Sequence, residues 1–432
     1  MMLAAVGMFG CTPISTPAPE EENVEELTME YTIRQRRSAK RGLSAHLKFV
    51  EDVNLIAPGV GWYYNWGTAV NFSDAMVEGD VLFYPMAWNL NFNADAIRAA
   101  KRACPEAEYI LTYNEPNLVD QANCTPAAAA TRWGELKALA AELNMKLISP
   151  ALNYGTTAGY HDPIVWFDEF LAQPGVSLDD MAAIALHCYM PTAEALKQFI
   201  RRFDKYGKPI YMTEFSHANG AISNNVPQQQ SFMAGSLNYM ECDDKVAGYA
   251  WFMLRASGQW NAISIVNSEV KNLALTDLGK EYVYFSTFDK ECYYPTGEAF
   301  PAAHYRSNNA EALAEGTTWE NSPGVKASSD VTGPVVLCDF FGTKMWVEYG
   351  IEVAKSGTYE LLVRYANIID GTFTFTIDGN EISHLLPATT SEDIWKTTKI
   401  GGFELSKGKH TLRVALTKGR ANFNWMCFRR TK

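Results

Sequence analysis

The 432-residue sequence predicts a (β/α)8 barrel of TIM type, with room for reduced helices, followed by an all-β sandwich of jelly-roll type. Three observations carry that prediction. Between Gly42 and Leu254 lie eight short apolar runs rich in β-type residues, most of them continuous rather than alternating. Continuous apolar runs suit strands buried on both faces of a parallel sheet. Several stretches between the runs carry helical signals, and strand–helix alternation repeated eight times closes into a barrel. Beyond about Arg306 the helical spacing vanishes and alternation takes over, as in half-buried antiparallel strands.

The eight runs are Gly42–His46, Gly59–Trp66, Val81–Trp88, Tyr109–Glu115, Lys146–Leu152, Ala182–Tyr189, Pro209–Phe215 and Val246–Leu254. Thr125-Pro126 opens an Ala-rich stretch containing Trp133, Leu136 and Leu143, with Thr as cap and Pro at the first helical position. Thr192 to Phe203 and Pro227 to Met240 read the same way. The connections after the second and third runs are short, so missing or abbreviated helices are expected there. In the last part, Tyr359–Tyr365, Thr372–Ile377 and His410–Leu416 alternate. Asp378-Gly379-Asn380 and Lys407-Gly408-Lys409 supply turns between strands. The expected organisation is a signal segment at 1–10, an acidic tether at 11–33, a catalytic barrel at 34–300 and a sandwich at 301–432.

Composition limits the partners. The net charge is −12, which argues against nucleic acid, because phosphate backbones need a basic footprint. It does not conflict with a neutral polysaccharide. The chain holds 11 Trp and 21 Tyr, whose faces serve either a large core or the CH-rich face of a sugar. Eight cysteines are scattered without a C-x-x-C pair, so no zinc site is expected. Cys104 and Cys124 flank Glu115 and are placed either as a disulfide or as free buried thiols. Met1–Gly10 is apolar, uncharged and too short to span a bilayer. Ending in Met-Phe-Gly-Cys, it resembles a bacterial lipobox, which implies cleavage before Cys11 and a lipid on that residue. The Pro, Ser and Thr that follow, then Glu20, Glu21, Glu22, Glu25 and Glu26, make an extended solvated tether. The expected location is the bacterial cell envelope, as a surface-exposed outer-membrane lipoprotein acting as a monomer.

Two glutamates carry the chemistry. Glu115 ends the fourth run and Glu214 the seventh, 99 residues further on. Barrel chemistry sits at the carboxyl ends of strands, and strands four and seven face each other across the mouth. Retaining glycoside hydrolysis needs two carboxyl groups about 5–5.5 Å apart, one protonated and one ionised. Burial and the Glu214 charge are expected to raise the Glu115 carboxyl. Trp66, Trp88 and Trp251, and less so Trp62, sit at strand ends and serve as sugar platforms or as core. His187 and Tyr189 at the sixth tip are candidates for contacts to the nucleophile or to a hydroxyl, with a core histidine as the alternative. Asn65 and Asn117 are candidates for hydroxyl contacts, and Arg41 for a structural partner of a carboxylate below the site.

At these residues the chain resembles clan A glycoside hydrolases. Asn114-Glu115-Pro116 is similar to that clan's acid/base motif, and Thr213-Glu214 to its strand-seven nucleophile. The resemblance implies that Asn114 binds the sugar 2-hydroxyl. Lys40-Arg-Gly-Leu43, Trp62-Tyr-Tyr-Asn-Trp66, Phe83-Tyr-Pro-Met-Ala-Trp88, Leu111-Thr-Tyr-Asn-Glu-Pro-Asn117, His187-Cys-Tyr189, Tyr211-Met-Thr-Glu-Phe215 and Ala250-Trp-Phe252 fall in the order of glycoside hydrolase family 128. That resemblance implies an endo-acting, retaining β-1,3-glucanase for laminarin- or curdlan-type glucan, working by double displacement without a cofactor. The rivals are a clan A enzyme for another β-glycan or in exo mode, and a surface lipoprotein that captures glucan oligosaccharides. Residues 306–432 resemble carbohydrate-binding module family 6. On that resemblance Asn422 and Trp395 hold a sugar, with Phe341 as a candidate for the second aromatic. A calcium of that family fits only loosely at Glu311, and Met426-Cys-Phe-Arg-Arg lacks the matching acid, so no metal is expected.

Overall fold

The structure is a computed structural model, and it describes residues 34–309, 323–338 and 345–431. Cys11, the tether, Glu311 and Phe341 lie outside the described residues. Ten strands and nine helices build the first part of the fold. The strands are β1 (Arg41–Ser44), β2 (Trp62–Tyr64), β3 (Leu82–Phe83), β4 (Met86–Ala87), β5 (Tyr109–Asn114), β6 (Lys146–Ala151), β7 (Met181–Met190), β8 (Ile210–Asn219), β9 (Ala221–Ile222) and β10 (Val246–Phe252). Neighbours run β3-β2-β1-β10-β8-β7-β6-β5-β4, all parallel, while β9 folds back antiparallel on β8. The third expected run is split in two, because Pro85 has no N–H to give to a ladder. Its halves still join the ends of the sheet: Tyr84 N donates to Tyr63 O at 3.0 Å, and Leu111 N donates to Pro85 O at 3.0 Å. The barrel therefore closes with eight strand positions.

Each position is followed by helix: α1 (Val50–Ile56), α2 (Ser73–Gly79), α3 (Ala94–Ala103), α4 (Pro126–Thr131), α5 (Trp133–Glu142), α6 (Pro163–Leu171), α7 (Ala193–Arg201), α8 (Val226–Cys242) and α9 (Asp277–Tyr284). After the second run the helix is abbreviated as expected, α2 having seven residues, but α3 after the third has ten, and no position lacks a helix. The caps explain several starts. Thr125, Asp162, Thr192 and Asn225 each accept a first-turn backbone N–H through a side-chain oxygen. Pro follows the cap within two positions at Thr125, Asp162 and Asn225. The single helix expected after Thr125 is interrupted at Arg132.

Small residues admit large ones into the barrel. A Cβ on Gly42 would stand 2.2 Å from the Trp62 ring, and one on Gly248 2.3 Å from the Tyr211 ring. At the base, the fully buried Arg41 pairs with Glu241 at 2.9 Å and donates to the carbonyls of Tyr282, Phe285 and Ser286. Arg41 thus has the carboxylate partner below the site that its position suggested.

The second part is all β: β11 (Tyr294–Pro295), β12 (Phe300–Pro301), β13 (Ser307–Asn308), β14 (Gly324–Ala327), β15 (Val335–Cys338), β16 (Trp346–Val353), β17 (Gly357–Ala366), β18 (Gly371–Ile377), β19 (Asn380–Leu386), β20 (Lys396–Leu405), β21 (Gly408–Lys418) and β22 (Asn422–Arg430). They form two sheets, β11-β16-β21-β18-β19 with β13 on β16, and β14-β15-β22-β17-β20 with β12 on β22. Phe373, Phe375, Phe403, Phe423 and Phe428 fill the space within. The turn from β18 to β19 holds Asp378 at φ 50° and Gly379 at φ 82°, the paired left-handed residues a two-residue hairpin needs. Among the described residues no helix is long and apolar enough to cross a membrane.

Candidate active site

The carboxyl ends of β2, β5, β7, β8 and β10 meet around a cleft of about 410 Å³. Glu115 follows the last residue of β5, and Glu214 lies within β8. Glu115 has φ 44°, a left-handed backbone uncommon outside glycine. Backbone strain of this kind costs about 1–3 kcal/mol and gathers at functional sites. Both glutamates are buried, at 6% and 5% exposure. One oxygen of each, with a nitrogen of His187, lies within 4.8 Å of the others.

Each carboxylate has its own donors. Tyr64 Oη donates to Glu214 Oε1 at 2.9 Å, and Trp66 Nε1 donates to the same oxygen at 2.7 Å. The Tyr189 hydroxyl donates to Oε2. Asn153 Nδ2 donates to Glu115 Oε1 at 3.2 Å. His187, fully buried on β7, stands between them: its Nδ1 is 2.9 Å from Glu115 Oε1 and 3.4 Å from Glu214 Oε2. Two carboxylate oxygens facing one ring nitrogen make that nitrogen the donor.

These contacts set the charges. Burial pushes the Glu115 carboxyl up, but the His187 charge and hydrogen bond, with Asn153, outweigh it and leave it below its ordinary value. Burial pushes Glu214 up, and the Glu115 charge adds to it. His187 and the Tyr189 and Trp66 donors pull the other way without cancelling it. Burial lowers His187, but Glu214 and Glu115 together raise it above the usual imidazole value. The expectation that Glu115 is raised is therefore corrected, since the imidazole beside it favours its anion. The directions agree with the geometry: the Glu115 anion is favoured where His187 Nδ1 stands one hydrogen bond away.

Trp66, Trp88, Asn114, Glu115, Tyr189 and Glu214 line the cleft as the sequence suggested. Asn114 donates through Nδ2 to Gln121 at 3.1 Å. Its Oδ1 is buried and has no protein partner among the described residues, which leaves an acceptor for a ligand hydroxyl.

Four expectations are corrected. Trp251 is fully buried, donates to Ile263 O at 2.9 Å and packs on Phe215 and Tyr282, so it is core rather than a sugar platform. Asn117 is fully buried and holds the loop after β6 through Asn153 O and Tyr160 O. Asn65 donates to Ala69 O and accepts from Gly67 N, shaping the turn that presents Trp66 at φ 59°. His187 keeps the contact to the carboxylates expected of it and is corrected only as a substrate ligand, since its ring is fully buried. Trp62, the weakest aromatic candidate, is also core, between Tyr84 and Tyr211.

Tyr64, Asn153, Gln121, Ile222, Phe252 and Trp260 contribute to the site without having been singled out. Only the period-2 alternation Trp62, Tyr64, Trp66 could have pointed to Tyr64. Phe252 is the neighbour of Trp251 on the opposite face of β10, and the sequence does not say which of the two turns inward. Cys104 and Cys124 are free and buried, so they form no disulfide. In the module, Asn422 is buried at 4% exposure, and Trp395 Nε1 donates to Ser329 Oγ at 3.1 Å.

A barrel holding two facing glutamates at its carboxyl-end mouth is the architecture of a glycoside hydrolase. Residues 42–282 match the glycosyl hydrolase catalytic core family, and residues 323–428 match carbohydrate-binding module family 35. The chain belongs to the glycosyl hydrolase catalytic core family, and within it to glycoside hydrolase family 128. It is 32% identical to a subgroup II endo-β-1,3-glucanase of family 128 from Pseudomonas viridiflava, over 57% of this chain and 98% of that one, with TM-score 0.53. A second such enzyme, from Sorangium cellulosum, is 29% identical over 56% of this chain and 97% of its own, with TM-score 0.50. Alkali-sensitive linkage protein 1 of Schizosaccharomyces pombe is 25% identical over 262 residues. That match spans 57% of this chain but only 44% of the yeast protein's length. The family 6 resemblance of the module gives way to family 35.

Proposed function

We propose that this protein is a retaining endo-β-1,3-glucanase. Glu214 is the nucleophile, Glu115 the acid/base and Asn114 the ligand of the 2-hydroxyl. The observation that carries this reading is the approach of the two carboxylate oxygens to within 4.8 Å. Retention requires carboxyl groups about 5–5.5 Å apart, whereas inversion leaves about 6.5–9.5 Å for a water. The β-1,3-glucan substrate and the endo mode are supported by likeness to the Pseudomonas and Sorangium enzymes.

The proton on His187 moves along its hydrogen bond to Glu115 as a sugar displaces water and the site favours neutral partners. Glu214 attacks the anomeric carbon while Glu115 protonates the departing glycosidic oxygen, and that C–O bond breaks. Glu115, now anionic, takes a proton from water. The water oxygen attacks the anomeric carbon, the ester to Glu214 breaks, and both carboxyls return to their first state. Tyr64, Trp66 and Tyr189 hold Glu214 in line for attack. The Trp66 and Trp88 rings offer apolar faces to the sugar.

Time courses on laminarin, curdlan, cellulose and mannan test the reading, with the first-formed anomer followed by NMR. Endo-retaining action yields a ladder of β-anomeric oligosaccharides from the β-1,3-glucans. No release from either β-1,3-glucan overturns the substrate assignment, and a first-formed α-anomer overturns retention. Binding without cleavage would favour capture. The proposal includes a lipid on Cys11 and an outward position on the cell envelope, resting on the sequence of residues 1–33. Labelling with radioactive palmitate in a bacterial host, lost in Cys11→Ala, checks it.

A further inference from the structure

A groove of about 760 Å³ lies away from the carboxylates, on the outer face of the sheet β11-β16-β21-β18-β19. Its floor is made of short hydroxyl side chains. Thr374 and Thr376 come from β18, and Thr411 and Thr417 from β21. Thr374 and Thr417 are hydroxyl partners at 3.2 Å. One wall is Trp346, with the Arg413 guanidinium 4.2 Å over its ring. Arg413 donates to Glu348 Oε1 through Nε at 3.0 Å and Nη2 at 2.7 Å.

This lining selects its ligand class. The Arg413 charge is cancelled by Glu348. Asp378 is paired with His410, and Glu381 adds a further negative charge. Such a surface repels phosphates and uronates but accepts an uncharged chain. An indole edge beside a field of hydroxyl, guanidinium and carboxylate groups matches the two faces of a pyranose, one rich in CH and one edged with hydroxyls. The groove lies within the stretch matching a carbohydrate-binding module. The two residues expected to bind sugar lie outside it: Asn422 is buried, and Trp395 flanks β20 in the other sheet.

We propose that this sheet face is the module's seat for a neutral glycan chain, with Trp346 as platform and Arg413, Glu348 and the threonines as hydroxyl partners. That the chain is a β-1,3-glucan rests on the function proposed above. The test is depletion binding of the full chain to insoluble curdlan, cellulose, xylan and mannan. Each protein carries Glu214→Gln to stop turnover. Trp346→Ala removes the platform. Thr374→Arg fills the groove from its exposed side without touching the core, so it guards against a folding failure. Curdlan binding weakened at least tenfold in both variants at unchanged melting temperature, with Trp395→Ala as wild type, bears the proposal out. Retention of xylan, mannan or cellulose instead of curdlan, lost in Thr374→Arg, keeps the seat and removes the β-1,3-glucan reading. Equal binding by wild type and Thr374→Arg, or loss in Trp395→Ala alone, overturns the seat. So does binding to none of the four polymers.

Discussion

The proton economy of the site is decided by single side chains. With Glu115 as acid/base, Glu115→Gln should lose about 10²–10⁴-fold in rate on glucan. It should keep far more activity on an aryl glucoside whose leaving group needs no proton; equal losses on both substrates would remove the role. The pH profile separates His187 from a structural bystander. The active trio holds one proton. Falling pH adds a second to Glu214, whose carboxyl sits above its ordinary value, and the nucleophile is lost. Rising pH strips the shared proton through the raised imidazole of His187, and the acid is lost. In His187→Asn the charge that holds Glu115 down is gone, so burial and the neighbouring Glu214 charge raise the carboxyl that must carry the proton. The alkaline limb should therefore report a raised carboxyl instead of an imidazole and shift in position, and Glu115 should titrate above its wild-type value. A profile that merely scales down would leave His187 a packing residue.

The strands place these side chains through tight aromatic packing inside the barrel, and glycine is what permits it. Gly42→Ala puts a methyl 2.2 Å from the Trp62 ring, and Gly248→Ala puts one 2.3 Å from Tyr211. Overpacking of this kind costs about 1–3 kcal/mol or more. Each should lower the melting temperature, by about 2–4 °C per kcal/mol for a unit of this size. Gly134→Ala in α5 is the contrast. A Cβ there meets nothing within 4 Å, and helical Gly→Ala stabilises by about 0.5–1 kcal/mol, so its melting temperature should rise. If Gly42→Ala melts like wild type, the strand packing described for β1 and β2 is wrong.

At the scale of the molecule, barrel and sandwich are joined by more than a linker. The Tyr305 hydroxyl donates to Asn238 of α8 at 2.7 Å, and Asn238 donates to Pro323 O at 2.9 Å. Arg41 ties β1 to α8 and to the chain leaving α9. Calorimetry should therefore show one cooperative transition, and two separated ones would refute the coupling. Arg41→Ala strips a buried carboxylate of its partner, a loss worth about 3–5 kcal/mol. It should lower that transition while leaving kcat at low temperature near wild type, because Arg41 lies at the barrel end away from the cleft.

The barrel, the sandwich and both glutamates were legible in the residues alone. Apolar runs reveal strands because both faces of a parallel sheet are dry, and Asn-Glu-Pro and Thr-Glu mark strand ends where side chains reach solvent. Helix starts were legible where a cap and a proline coincide, as at Thr125. The facing of side chains was not. Trp251 and Phe252 are adjacent and equally apolar, and only the barrel's closure turns one to the helix layer and the other to the cleft. Asn65 and Asn117 look like hydroxyl ligands until the turns they hold are seen. The position of His187 between two carboxylates, which reverses the expected charge of Glu115, depends on the register of β7 against β8 and β5. The sequence by itself determined which chemistry this chain carries. Tertiary structure decided which side chains share the proton and which face of the module stands open, because distances between residues far apart in the chain exist only after folding.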